Sequence, residues 1–222
     1  MANNGVVLYF ANIGTGKTTF LSKIAIKEQK KMEKGKSKYK CIVSNARIHG
    51  VVFIEDLRGL IKEGALKDTL LLIDEASIIY NNRKQNLTER EIQWFKLIRH
   101  YNSSTIVLSQ SYDDIDITLR RLYTEIYIMS RLPWFTLIRP IKKYVGIDEA
   151  TGQIVDKYKF KFPTNWRLFC RPLYFKYFDS WWIPKNVPIH DLEYYEKVEF
   201  EIKEKGGLMK NKLTLKKLKG KK

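Results

Sequence analysis

As far as Leu132 the chain alternates short apolar runs with longer amphipathic stretches, the rhythm of a parallel α/β sheet. Val6–Phe10 reads as a buried strand, and Lys17–Glu33 as the helix that follows it. Lys40–Val43 predicts a second strand. Phe53, Ile54, Leu57, Leu60 and Ile61 fall at helical spacing and predict a short helix ending near Gly64. Leu70–Ile73 is a further strand candidate that runs straight into Asp74-Glu75. Thr88 and Glu91 form a capping box, which opens a helix reaching about His100. Ser104–Ser109 and Ile126–Ser130 supply the remaining strands.

From Pro133 the pattern changes. Thr136–Val145 and Ile154–Phe162 are rich in β-branched and aromatic residues and flank a turn at Glu149–Gly152, which predicts a β-ribbon. Asn165–Pro184 is dense in aromatics, among them Trp166, Phe169, Tyr174, Phe175, Phe178, Trp181 and Trp182. Aromatic rings bury large areas, so this segment is expected to complete the core. Lys203–Lys222 is dominated by lysine and reads as a basic, flexible tail. The expected division is a core at 1–132, a β-rich aromatic extension packed on it at 133–190, and the tail at 191–222.

Composition sharpens this picture. Hydrophobic residues make up 44% of 222 residues, enough for a substantial core. A formal charge of +17 favours polyanionic partners, either DNA or an anionic membrane surface. The alternative is a lysine-rich surface without a specific partner. Cys41 and Cys170 make neither a disulfide framework nor a metal-ligand spacing, which fits a reducing, cytosolic compartment. Met1–Gly5 is polar and uncharged, so no secretory signal is expected at the start of this sequence. No stretch reaches the ~18 uninterrupted apolar residues of a membrane span. Leu122–Ile141 comes nearest and is broken by Glu125, Arg131, Pro133 and Arg139.

The chemistry concentrates at the strand ends. Ala11-Asn12-Ile13-Gly14-Thr15-Gly16-Lys17-Thr18, followed by Thr19, fits a phosphate-binding loop between a strand and a helix. Gly14 and Gly16 allow the tight turn that aims successive N–H groups at a phosphate. Lys17 supplies the cation for the β- and γ-phosphates of ATP, Thr18 a hydroxyl for Mg²⁺, and the helix N-terminus completes the anion site. Asp74 at the end of its strand is the second candidate Mg²⁺ ligand, and Glu75 the group that polarises the attacking water. Gln110, after Ser104–Ser109, is a candidate sensor of the γ-phosphate; a surface turn with Ser111 and Asp113 is the plainer reading. A strand lying between the loop strand and the Asp74 strand would mark the additional-strand class of NTPases. Arg99, Arg120, Arg121 and Arg131 are candidates for a cation acting on a neighbouring subunit's phosphates, Arg120 and Arg121 foremost.

Several landmarks together resemble the zonular occludens toxin-like ATPases, which include the inner-membrane assembly protein of filamentous phages. These are Ile73-Asp74-Glu75-Ala76, Arg83, Arg99-His100, Leu108-Ser109-Gln110, Ile115-Asp116 and Leu119-Arg120. Ser44-Asn45 and Tyr177-Phe178-Asp179-Ser180 add to the set, and the likeness covers roughly residues 6–182. It implies a RecA-like core of the FtsK–HerA type, a hexameric ring, and ATP-driven extrusion of a single-stranded DNA virion. Carried across position by position, Lys17, Thr18, Asp74 and Glu75 match the ATPase site, Gln110 the sensor and Arg120 a finger.

This chain departs from that family in three places. Ala11 stands for the first loop glycine, and Ser77 where a Gln often follows the acidic pair. A membrane helix and outer domain after the ATPase are not seen, so the expectation is a separate anchor protein or peripheral binding to an anionic membrane. A viral DNA-packaging ATPase of the same superfamily is the principal alternative. A binding module using ATP only as a switch is the third.

Overall fold

The computed structural model describes residues 5–63, 66–80, 87–112, 115–147, 154–161 and 165–179. The expected turn at Glu149–Gly152, the landmarks Arg83 and Ser180, the aromatics Trp181 and Trp182, and the lysine-rich tail lie outside them.

Strands with both faces covered by protein read as unbroken apolar runs, whereas half-exposed strands alternate. β4 (Thr69–Ile73) and β5 (Ser104–Ser109) are buried at every position. With β1 (Val6–Phe10), β2 (Cys41–Ser44), β3 (Val52–Phe53) and β6 (Glu125–Arg131) they form the parallel body of one sheet. The order is β3-β2-β4-β5-β1-β6, continued antiparallel by β7 (Phe135–Ile147) and β8 (Ile154–Phe160). β9 (Arg167–Cys170) pairs with the first residues of β7, beside the stretch that β8 occupies. The expected ribbon therefore exists, and it extends the central sheet through β6. The architecture is a mixed α/β, RecA-like P-loop NTPase fold with a mostly parallel sheet. β5 separates β1 from β4, the arrangement of the additional-strand class.

One face of the sheet packs on α2 (Leu57–Glu63), α3 (Ala76–Ile79), α4 (Glu89–Lys96) and α5 (Ile117–Leu122) through a core that includes Leu8, Leu71, Ile73, Tyr80, Phe95 and Leu119. The other packs on α1 (Lys17–Glu33), through Tyr9, Phe20, Leu21, Leu72 and Leu108. A short 3-10 helix, Pro172–Tyr177, lies against α1 on the same side.

Two expected helices differ in extent. Val52 and Phe53 pair with β2, and Ile54 N–H donates to Ser44 O at 2.9 Å, so α2 begins only at Leu57. α4 stops at Lys96, because from Leu97 the chain tightens into successive turns before β5. The aromatic segment also departs from expectation. Phe169 is 4% exposed, with Tyr174 and Phe178 partly buried beside it, but Trp166, Leu173 and Phe175 face outward. A strand edge and one 3-10 turn each offer only one face to a core, so crowding more aromatics into the segment leaves the rest outside.

The capping box at Thr88 carries more than a helix start. Glu91 is fully buried and accepts from the Thr88 N–H (2.8 Å) and hydroxyl (2.7 Å) and from Arg58 Nε (2.7 Å) and Nη2 (3.0 Å). The pair ties α2 to α4. Burial acts to raise the Glu91 pKa, but the Arg58 and Thr88 hydrogen bonds outweigh it and hold the pKa below its ordinary value. Stability from this carboxylate is therefore present above the unfolded-state pKa and is lost as pH falls through the lowered folded value. Arg58→Met would leave the Glu91 charge buried without its cation, and should cost about 3–5 kcal/mol in denaturant unfolding. A loss below about 1 kcal/mol would show that the pair does not hold α2 to α4.

Candidate functional site

β1 lies inside the sheet between β5 and β6, and its C-terminal end opens into residues 11–16, after which α1 begins at Lys17. The turn requires its glycines. Gly14 and Gly16 have φ of 74° and 92°, a region that side chains with a Cβ rarely enter. Thr15 closes the loop on itself, its hydroxyl donating to Asn12 O at 2.7 Å. Ile13 stands exposed at the tip, and Thr19 is buried on the inner side of α1.

Lys17 is 7% exposed; its Nζ donates to Ala11 O at 3.2 Å and pairs with Glu75 Oε1 at 3.0 Å. The Thr18 hydroxyl donates to Asp74 Oδ2 at 2.5 Å. Gln110, directly after β5, donates from Nε2 to Glu75 Oε2 at 3.0 Å. The parallel order explains this meeting. β1, β5 and β4 are neighbours running the same way, so the residues after each strand end at the same edge of the sheet.

Asn45 fixes the acidic pair from the other side. It follows β2, and its side chain accepts from Asp74 N–H at 2.7 Å and donates to Asp74 O at 2.8 Å, extending the β2–β4 ladder by one amide. Glu75 adopts φ 49°, a left-handed conformation uncommon for a residue with a side chain. The kink starts α3 and turns the Glu75 carboxylate back toward Lys17 and Gln110.

Burial lifts the Asp74 pKa to about 6. The Thr18 hydroxyl bond opposes that rise, the Glu75 charge adds to it, and Lys17 again opposes it. A hydroxyl beside a carboxylate oxygen is a hard-oxygen donor set, suited to Mg²⁺ held jointly with a polyphosphate. Magnesium needs the ionised carboxylate, so Mg²⁺-dependent nucleotide binding should weaken as pH falls through about 6. Asp74→Asn should weaken it at neutral pH and flatten that dependence, as read by titrating a fluorescent nucleotide with and without Mg²⁺. An unaltered pH profile in Asp74→Asn would remove Asp74 from the metal site. Linkage acts with the opposite sign on the nucleotide-free fold. A raised carboxyl pKa disfavours the ionised form, so this group adds stability as pH falls through the same value.

Arg120 sits in α5 with its guanidinium over the Tyr112 ring, 4.9 Å from the centroid. With Arg121 it lines a cavity at the start of β6, together with Pro140 and Lys161. Among the described residues, Arg131, at the end of β6, and Arg171, after β9, abut the phosphate loop. Arg131 was among the sequence candidates. Arg171 was not: it lies 157 residues from Gly14 in a segment without a motif. Asn45 was legible only as a family landmark.

The zonular occludens toxin (Zot) family model matches residues 30–165, which takes in the acidic pair and Gln110 and leaves the phosphate loop outside. No curated protein matches the chain. Among solved structures it is similar to the N-terminal domain of zonular occludens toxin from Neisseria meningitidis, at 17% identity and a TM-score of 0.48. That match covers 71% of this chain and 94% of the other. It is also similar to the genome packaging NTPase B204 of Sulfolobus turreted icosahedral virus 2, solved with ATP-gammaS, at 16% identity and a TM-score of 0.44. There the coverage is 70% of this chain and 98% of the other. With the family match spanning more than half of its length, this chain belongs to the zonular occludens toxin (Zot) family.

Proposed function

We propose that the protein is a P-loop ATPase that drives assembly and extrusion of a filamentous, single-stranded DNA phage. The carrying observation is the convergence of Lys17, Thr18, Asp74, Glu75 and Gln110 at one edge of the sheet, joined by contacts of 2.5–3.0 Å. Family membership supports the phage setting.

ATP would enter with its phosphates against the N–H groups of residues 12–19 and the N-terminus of α1. Thr18 and Asp74 would hold Mg²⁺, which shields the phosphate charge. Lys17 and Glu75 neutralise each other in the nucleotide-free site. The phosphates compete for the Lys17 ammonium, and Glu75 is released to accept hydrogen-bond density from the attacking water. Gln110 donates to the same carboxylate, so its amide reports whether Glu75 has been freed. Arg120 or Arg121 would act across a subunit boundary in a hexameric ring. Such a ring would work at the cytoplasmic face of the host membrane. No described helix is long and apolar enough to cross a membrane. The +17 charge of the chain suits an anionic lipid surface as one partner at that face, and a membrane-anchor protein is the other.

Phosphate release from Mg²⁺-ATP, measured alone, with single-stranded DNA and with duplex DNA, tests the proposal. ATP turnover stimulated by single strands, with rings seen by particle imaging, is the expected result. Stimulation by duplex alone would replace extrusion with genome packaging, and absence of turnover in all three conditions would overturn the ATPase reading.

A further inference from the structure

A loop whose N–H groups converge on an anion must turn the carbonyls of the same peptides outward, and buried carbonyls need donors of their own. Much of that outward side is supplied from within the loop and α1. Asn12 O takes the Thr15 hydroxyl and Ala11 O takes Lys17. Gly16 O accepts from Phe20 N–H at 3.0 Å. Gly14 O and Thr15 O are served from more than a hundred residues away. Gly14 O accepts from Arg171 Nη1 at 3.1 Å, and Thr15 O from the hydroxyl of Thr136 in β7 at 2.7 Å.

Arg171 is 7% exposed and Thr136 is fully buried. The second arm of the guanidinium, Nη2, donates to Leu132 O (2.7 Å) and Pro133 O (2.6 Å) in the turn between β6 and β7. The Arg171 backbone N–H donates to Trp134 O at 3.0 Å. One side chain thus clamps that turn to the phosphate loop. The aliphatic stem is also in place: a Cβ added to Gly16 would lie 2.7 Å from Arg171 Cδ. Burial, and then the nearby Arg131, lower the Arg171 pKa from its ordinary value. No carboxylate forms a salt bridge with Arg171 among the described residues. A cation held there by the Gly14, Leu132 and Pro133 carbonyl oxygens adds its charge to the field of the loop.

We infer that Arg171 and Thr136 are positioning residues of the nucleotide site, which hold the Gly14 and Thr15 carbonyls turned away from the phosphate side of the loop and so leave the Gly16 N–H, in the same peptide as Thr15 O, to face phosphate. The strands after β6 are then part of the nucleotide site. This rests on the reading of residues 11–18 as an ATP site. Arg171 acts on ground-state binding, so its loss separates from the loss of Lys17: KM moves while kcat moves little.

In the full chain, Arg171→Met should raise the KM for ATP at least ~10-fold, in the range of hydrogen bonds to a charged group, with kcat within about threefold. Arg171→Lys, which keeps the charge but lacks the two-armed fork, should recover part of the loss. Thr136→Val keeps the shape and should raise KM about 2–5-fold. Hydrogen exchange of the Gly14–Lys17 amides in the nucleotide-free protein should quicken in both Arg171→Met and Thr136→Val. Unchanged KM and unchanged loop exchange in folded Arg171→Met would overturn the inference. If Arg171→Met does not fold, the same two readouts in Thr136→Val decide it. If the wild-type chain neither binds nor hydrolyses ATP, the nucleotide reading falls. Loop exchange then judges the bracing alone, with wild-type rates in both variants overturning it.

Discussion

ATP hydrolysis should fall at least ~10²-fold in Lys17→Ala, the scale of loss seen when one preorganised charge-stabilising group is removed. Lys17 is buried, and it reaches both the loop, through Ala11 O, and the acidic pair, through Glu75. Its removal takes away the cation that would follow the charge of the transferring phosphoryl group. It also leaves Glu75 without its ion-pair partner in the nucleotide-free site, so the Glu75 carboxylate would face incoming phosphates unneutralised. Nucleotide affinity should fall along with turnover. The measurement is phosphate release at saturating Mg²⁺-ATP, with thermal unfolding to show that the variant folds. Full turnover in a folded Lys17→Ala protein would remove the assignment of the nucleotide site.

Glu75→Gln should separate binding from chemistry. The amide keeps the shape of the side chain and its contact with Gln110, but it cannot polarise water as a carboxylate does, so hydrolysis should drop ~10²-fold or more. Binding should be kept or tightened, because Lys17 is no longer held by a competing carboxylate at 3.0 Å. Equilibrium binding of a fluorescent ATP analogue, set beside single-turnover hydrolysis, reads both effects. If Glu75→Gln hydrolyses at the wild-type rate and Asp74→Asn alone is inactive, the roles of the two acids are reversed.

Much of this site could be read along the chain because its parts are local. A tight anion-binding loop needs glycine at positions of positive φ, and Gly14 and Gly16 occupy them. A central parallel strand is buried on both faces and carries an apolar run, and Leu70–Ile73 and Ile106–Leu108 provide it just before Asp74 and Gln110. The capping box at Thr88 and Glu91 was legible for the same reason, since both partners sit within one turn. The contact of Gln110 with Glu75 follows once β5 lies beside β4.

Other features depend on which segments meet in space, and spacing along the chain carries no record of that. The ribbon of β7 and β8 was visible as alternation, but its union with the central sheet depends on β6 offering its free edge to β7. The aromatic segment looked like core because composition measures how much apolar area exists and says nothing of how many faces can be covered. Asn45 mimics a strand amide against Asp74, a role that an Asn after a strand acquires only when the neighbouring strand ends in register with it.

The sequence by itself determined the phosphate loop, the acidic pair and the strand pattern that makes an α/β NTPase core, because backbone geometry and burial set residue type at those positions. Only the tertiary structure decided what stands behind the loop. Arg171 and Thr136 reach Gly14 O and Thr15 O because β7 and β9 fold back past the end of β1. An arginine that donates to main-chain carbonyls places no demand on the residue type of its partners, so no motif marks it.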